Sequence, residues 1–207
     1  PLESISPRMA KKGMPHQICA GKRPEVRIRV LRQAGQLRIP VTTGILVGMG
    51  ETRKERYQAL EMLLQLHRRY GNIQEVFVRP CRTVSSAEGV TPRADPAGDA
   101  SAMVDTVRYA RAILGDIPVQ VPLLRGAAYY GELLEVGVSD LGVMPVMGNG
   151  TPVEKAWPSL RTLRANLARL DFTLEEEQAL RARFLKDAWY SEELAPIVRK
   201  RCTIPTE

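Results

Sequence analysis

The residues most able to do chemistry lie in one run, Gly44-Ile45-Leu46-Val47-Gly48-Met49-Gly50-Glu51. The run spans the point where an apolar, β-branched segment hands over to a helix opening at Thr52. Glycines at such a junction let a ligand approach the backbone closely, and free N–H groups at a helix start favour anionic or polar ligand atoms. The order G-x-G-E differs from the dinucleotide pattern G-x-G-x-x-G, and no Walker lysine follows. Taken alone, the spacing fits a structural turn equally well. Glu51 is the carboxylate best placed to hydrogen-bond a ligand. It also suits the helix N-terminus, where negative charge is favourable by ~0.3–1 kcal/mol.

The remaining reactive side chains are scattered. Cys19, Cys81 and Cys202 form no C-x-x-C pair and no cluster-binding run, so the spacing gives no metal site. They read as reduced thiols, some buried as small hydrophobes. Cys81 ends a predicted strand on the ligand edge and is the thiol nearest the chemistry, although a half-buried small residue is the simpler reading. His16 has the intrinsic pKa of a proton carrier and reads equally as a surface-loop histidine. His67, on the apolar face of a helix, reads as a packing or capping residue. Tyr129 and Tyr130 read as packing a helix on the sheet.

Positioning these groups requires a series of short apolar runs alternating with helical patterns, the signature of βα units and a parallel sheet. Pro24 to Gln36 reads as a helix with Val26, Val30 and Ala34 on one face and Gly35 near its end. Ile39 to Gly48 reads as a strand buried on both faces. Thr52 with Glu55 forms a capping-box pattern, Leu60, Leu63, Leu64 and His67 keep helical spacing to Tyr70, and Gly71 stops it. Asn72 to Val78 is a strand, and Cys81 to Gly98 a long polar loop. A helix from about Asp99 to Leu114 carries Met103, Val107, Ala110 and Leu114 on one side. There follow a strand at Ile117 to Val121, a helix at Gly126 to Val136 and a final strand at Leu141 to Val146. Pro158 to Leu170 is a further helix with Leu160, Leu163, Leu167 and Leu170 in a stripe. Thr173 with Glu176 opens the last, ending near Lys186.

The composition sets outer bounds. With 207 residues, 44% hydrophobic and 26% charged, the chain is long enough for one well-packed domain and too apolar for disorder. No apolar run approaches the ~18–20 residues that span a bilayer, and no charged-then-apolar start suggests a signal peptide, so a cytoplasmic location is expected. Residues 1–40 hold nine Lys/Arg against two acids, which accounts for the whole net charge of +7. Such a stretch suits an anionic ligand or nucleic acid. No aromatic residues interleave it and no nucleic-acid-binding pattern accompanies it, so it reads as a solvated helix face. Pro1 is not an initiator, and Leu2 to Ser6 reads like the end of a strand, so a truncated chain is expected.

Thr42-Thr43-Gly44-Ile45-Leu46-Val47-Gly48-Met49-Gly50-Glu51-Thr52, followed by Leu66 to Val76, resembles the radical S-adenosylmethionine (SAM) enzymes of deazaflavin synthesis, most closely the CofG family. Gly44, Gly48 and Glu51 fit the superfamily pattern G-x-I-x-G-x-x-E, with Leu46 in place of isoleucine. Glu3-Ser4 looks like the family's fourth-strand segment. The resemblance continues through Val119-Gln120-Val121-Pro122, Glu132-Leu133-Leu134 with Gly137, and Ala156-Trp157-Pro158. It implies an α/β fold, a partial radical SAM (β/α) TIM-like barrel of roughly strands 4 to 8 with closing C-terminal helices, forming one domain over residues 1–207. It implies that Gly44, Ile45, Gly48 and Glu51 serve SAM and that Glu3 contacts SAM or substrate. The implied reaction uses a 5′-deoxyadenosyl radical to abstract hydrogen from a tyrosine-derived ribityl-aminouracil adduct, followed by ring closure with loss of ammonia. A companion CofH-type subunit is the implied partner.

Two departures from the family matter. Its [4Fe–4S] cluster is held by a C-x-x-x-C-x-x-C run that lies upstream of everything present here, so the sequence holds no cluster ligands. Positions expected to face the substrate also differ: Val78-Arg79-Pro80-Cys81 stands for V-Q-N-F, Pro122-Leu123-Leu124 for P-N-L, and Asp140-Leu141-Gly142-Val143-Met144-Pro145 for D-W-G-G-V-S-P. These changes remove hydrogen-bonding and stacking partners for a flat, polar substrate. The alternatives are a non-catalytic remnant of the barrel acting as a binding module, and another radical SAM branch such as the menaquinone-pathway enzymes.

Overall fold

The computed structural model describes residues 1–81, 96–122, 130–143, 159–186 and 189–201. The predicted apolar strand forms as β1 (Val41–Val47). β1 pairs in parallel with β2 (Ile73–Pro80), and β2 pairs in parallel with the short β3 (Val119–Gln120). Single parallel bridges extend the sheet at both edges, Glu3 to Ile45 on one side and Gln120 to Asp140 on the other. Five chain segments therefore follow one another across the sheet, the outer two reduced to bridges. Among the described residues this is a partial, unclosed parallel sheet flanked by helices. No strand forms at Leu141–Val143, and the rest of the strand expected at Leu141–Val146 lies outside the described residues.

One register shift decides which side chains share a face. Val41 pairs with Ile73 but Thr42 pairs with Glu75, which leaves Gln74 as the extra residue of a bulge. Beyond it, side chains alternate across the sheet. Val76 and Val78 join Ile45, Val47, Val119 and Val121 in the hydrophobic core beneath the helices. Glu75, Phe77 and Arg79 take the opposite face.

The helices are α1 (Pro24–Gln36), α2 (Arg53–Tyr70), α3 (Pro96–Leu114), α4 (Tyr130–Glu135), α5 (Leu160–Ala168) and α6 (Ala195–Arg201). Leu60 and Leu63 of α2 and Met103, Val107, Ala110 and Leu114 of α3 bury the stripes expected of them. α3 starts earlier than expected, at Pro96, as proline at a first turn allows. On α1 the buried face is Pro24, Leu31 and Gly35, with Ile28 beside it, while Val30 is half exposed. Gly35 is a contact point: a Cβ there would come within 2.7 Å of the Tyr70 side chain. On α5, Leu163 and Leu167 are buried against Leu134, and Tyr130 packs beside them. Tyr129 lies outside the described residues.

α2 starts where its capping box predicts. Glu55 N–H donates to Thr52 Oγ1 at 3.2 Å, and Thr52 N–H donates to Glu55 Oε2 at 2.7 Å. Gly71 closes the other end in the left-handed region, φ 69°. The Arg8 guanidinium, hydrogen-bonded to Glu55, holds that carboxyl down at about 2. Replacing Thr52 by Ala is expected to remove about 1 kcal/mol of stability. Urea unfolding checks this: a lower midpoint at unchanged m-value is expected, and an unmoved midpoint refutes the cap.

The helix expected from Thr173 to Lys186 does not form; only a 3₁₀ turn at Ala182–Phe184 interrupts an extended path. The reason is tertiary. The Gln74 side chain accepts from Arg181 N–H and donates to the Ala179 carbonyl, so the bulge residue of β2 takes the groups a helix would use. Phe184 is fully buried nearby, its ring edge-on to Trp189.

Candidate functional site

The five residues expected to serve SAM fall into two connected groups. Glu3 lies directly against Gly44 and Ile45: its N–H donates to the Gly44 carbonyl at 2.8 Å, and its carbonyl accepts from Leu46 N–H at 2.9 Å. Gly48 and Glu51 follow in the loop between β1 and α2. The Ile45 side chain points into the core and is 1% exposed, so only its backbone belongs to the sheet edge.

Glu3 has φ 63°, a left-handed conformation that costs a non-glycine residue about 1–3 kcal/mol and persists where surroundings over-determine it. Its side chain is buried, and Oε2 meets Lys22 Nζ at 3.0 Å and His16 Nε2 at 2.9 Å. Burial alone would raise this carboxyl. The hydrogen bond and charge of Lys22, with His16 and Arg27 behind them, hold it below its ordinary value. His16 is itself pushed down, chiefly by burial, against the pull of Glu3. The surface-loop reading of His16 is therefore wrong: it is 3% exposed. The basic N-terminal stretch is likewise not uniformly a solvated face, because Lys22 closes over a buried acid.

The glycine loop is shaped from within. Gly48 and Gly50 have φ 91° and 99°, which glycine adopts without strain. Glu51 folds back on this loop, its side chain 2% exposed. Oε1 accepts from Gly48 N–H at 3.0 Å and from Arg56 Nη1 at 3.2 Å, while Oε2 accepts from Met49 N–H at 2.7 Å. Together with the capping box, this engages the backbone donors of Gly48, Met49, Thr52 and Glu55, which the sequence reading had offered to a ligand. Gly44 is likewise a packing requirement, because a Cβ there would fall on the Phe77 carbonyl oxygen and within 2.6 Å of its ring.

A second polar group lies across the sheet and was not legible as a site. At the start of β2, Glu75 pairs with Arg181 at 3.1 Å, and Arg181 also bonds Asp140 and Glu177. Burial first, and Asp140 second, raise the Glu75 carboxyl to about 7 against the pull of Arg181. At the other end of β2, Arg79 Nη2 donates to Gln120 Oε1 at 2.7 Å. Pro80 ends the strand, and Cys81 N–H donates to the Val47 carbonyl at 2.7 Å, so this thiol is where the sequence put it. Leu141 packs on the core, and Leu123, Leu124 and Cys202 lie outside the described residues. His67 is half-buried at the end of α2, its pKa lowered mainly by burial, as a packing residue.

Among the described residues no group of three His, Cys, Asp or Glu side chains is arranged to hold a metal ion. The residues present do not fit a [4Fe–4S] cluster, which needs thiolates the sequence does not space for it. No helix of the described residues is long and apolar enough to cross a membrane.

No protein-family model matches the chain, and no solved structure matches it significantly. Curated proteins do. The 7,8-didemethyl-8-hydroxy-5-deazariboflavin synthase of Methanopyrus kandleri is 36% identical over 200 residues, covering 96% of this chain and 59% of that protein. The synthase of the same name from Methanosarcina mazei is 35% identical over 211 residues, 96% of this chain and 61% of that protein. That of Archaeoglobus fulgidus is 36% identical over 187 residues, 89% and 56%. The chain is thus a homologue of the deazaflavin synthases of the radical SAM CofG family, and it spans about 60% of the length of the relatives it matches.

Proposed function

We propose that this chain is a SAM-binding module of the deazaflavin synthase family, built on the sheet edge where Glu3 meets β1 and the glycine loop. One observation carries the reading. The segments that the resemblance assigns to SAM lie next to one another, Glu3 bonded to β1 and Glu51 to the loop that follows it, whereas no cluster-holding group accompanies them among the described residues. Within these segments, Glu51 holds the loop in shape, Gly48 and Gly50 supply its backbone path, and Ile45 contributes only main chain. Glu3, its carboxyl held below its ordinary value by Lys22 and His16, offers an acceptor for hydroxyl or ammonium groups of the kind SAM carries. SAM would supply the reactive chemistry of the family when bound next to a cluster. Among the described residues no side chains are grouped to hold that cluster.

A second reading, catalysis of the family's chromophore-forming reaction with a companion CofH-type subunit, is favoured by similarity over 96% of the chain to proteins named as that synthase. Calorimetric titration with SAM separates the two. Saturable binding is expected, weakened in Glu3→Gln with the fold retained, and dithionite is expected to release no 5′-deoxyadenosine. Absence of SAM binding would overturn the module. Release of 5′-deoxyadenosine by the chain alone would overturn the non-catalytic reading.

A further inference from the structure

Arg79 stands at the C-terminal end of β2, the end of a parallel strand where α/β sheets bind ligands. Alternation after the bulge places it with Phe77 on the face turned away from the core helices. Its position is fixed from two directions. The guanidinium carbon lies 4.2 Å from the centre of the Phe77 ring, and Nη2 donates to Gln120 Oε1 at 2.7 Å. Gln120 is in turn buried in β3, 4% exposed, so the guanidinium rests against a wall rather than reaching into solvent.

Among the described residues the arrangement lacks a counter-charge. Nε of Arg79 is enclosed and has no hydrogen-bond partner among the described residues. The two acids nearest in the sheet topology, Glu75 on its own strand and Asp140 on the far edge, are both committed to Arg181. Gln120 is neutral and satisfies one of five guanidinium N–H groups. A guanidinium stays protonated, and holding it half-buried without an anion is expensive. The Phe77 face offsets part of that cost but presents no acceptor. Burial presses on this charge more than Glu75 relieves it.

We propose that Arg79 is an anion-recognition residue at the C-terminal end of β2, holding a carboxylate or phosphate group of a bound ligand through its Nη N–H groups. Carboxylates and phosphates match the guanidinium fork in geometry and charge. A neutral flat ring system would leave that charge unmatched. The inference rests on the reading of this sheet edge as ligand-binding, and it adds the chemistry of one ligand group.

The full 207-residue chain, labelled with ¹⁵N at arginine, allows a direct test. The Arg79 Nε–H signal is assigned by its disappearance in Arg79→Lys. Titration with 4-hydroxybenzoate is expected to shift that signal saturably, whereas uncharged 4-hydroxybenzamide leaves it in place. Inorganic phosphate forms the second arm: a saturable shift with phosphate alone assigns a phosphate ligand group, and one with the benzoate assigns a carboxylate. Arg79→Gln is expected to bind the effective anion roughly tenfold to hundredfold more weakly. SAM titration of the unsubstituted chain, run alongside, keeps failure of this inference distinct from failure of the SAM module. An Arg79 signal indifferent to both anions overturns the proposal, as does equal anion affinity in Arg79→Gln. If Arg79→Gln does not fold, the titration of the unsubstituted chain still decides.

Discussion

Gly44→Ala is expected to cost about 3–5 kcal/mol and to leave little folded protein. Most glycine-to-alanine changes act on backbone entropy and amount to less than 1 kcal/mol. Here the new methyl would meet the carbonyl oxygen of Phe77, its register partner on β2, and the Phe77 ring at 2.6 Å. A flexible side-chain tip could move aside. A carbonyl in the ladder between β1 and β2 cannot, because shifting it opens the central strand pair. The Phe77 ring is held from above by Arg79 and is 6% exposed, so it has little room to turn. Gly131→Ala is the control: nothing lies within 4 Å of its Cβ, and alanine favours the helix there. Denaturant unfolding should show Gly131→Ala at or above the native midpoint and Gly44→Ala far below it. A native midpoint for Gly44→Ala would refute the packing account. The result also bears on function, since a glycine required by packing is no evidence of ligand approach, and SAM binding is better tested through Glu3.

What the sequence conveyed about the fold follows from the range of the forces involved. α2 was legible to the residue because its limits are local: Thr52 and Glu55 bond each other, and Gly71 supplies the left-handed stop. The order of parallel segments was legible because apolar runs alternate with amphipathic ones. The segment after Thr173 was misread because its local pattern, Thr173 with Glu176, is a good cap signal, yet Gln74 lies about a hundred residues away and captures the backbone first. On α1, Val26 and Val30 suggested one face, but the choice was made by Gly35, whose lack of a side chain admits Tyr70.

The candidate site shows the same division. Gly44, Gly48 and Glu51 were found from a pattern carried by contiguous residues. Their roles were not, because a glycine that admits a ligand and one that admits a neighbouring strand look alike in sequence. Glu3 was found through resemblance, but its partners His16 and Lys22 were lost in a basic stretch whose charge suggested solvent exposure. Arg79 was noticed only as a departure from the family. Its significance depends on Phe77 beneath it, Gln120 beside it and the commitment of Glu75 elsewhere, none of which spacing reveals.

That commitment of Glu75 leads to the second large effect. Arg181→Met, which keeps the stem and removes the charge, is expected to cost about 3–5 kcal/mol at pH 8, because it leaves buried carboxylates facing each other without a cation. Arg181 bonds Glu75, Asp140 and Glu177 together and anchors the extended C-terminal segment to the start of β2. The cost should depend on pH in a defined direction. Glu75 is raised to about 7 in the folded chain, above its ordinary value, by burial and Asp140. A carboxyl raised on folding favours the folded state fully at pH below its unfolded value, and that advantage is lost as pH rises through the folded value. The native chain should therefore lose stability between pH 4.5 and about 7 from this group. Without Arg181 the folded value rises further, so the penalty of Arg181→Met should be smaller at pH 5 and larger at pH 8. Combining it with Glu75→Gln and Asp140→Asn should restore much of the loss by removing the charges left unpaired, although lost packing of the stem's end is not recovered. Urea unfolding of the three proteins at both pH values is the measurement. A penalty that is the same at pH 5 and pH 8 and is not relieved by neutralising the acids would show that Arg181 acts by packing alone.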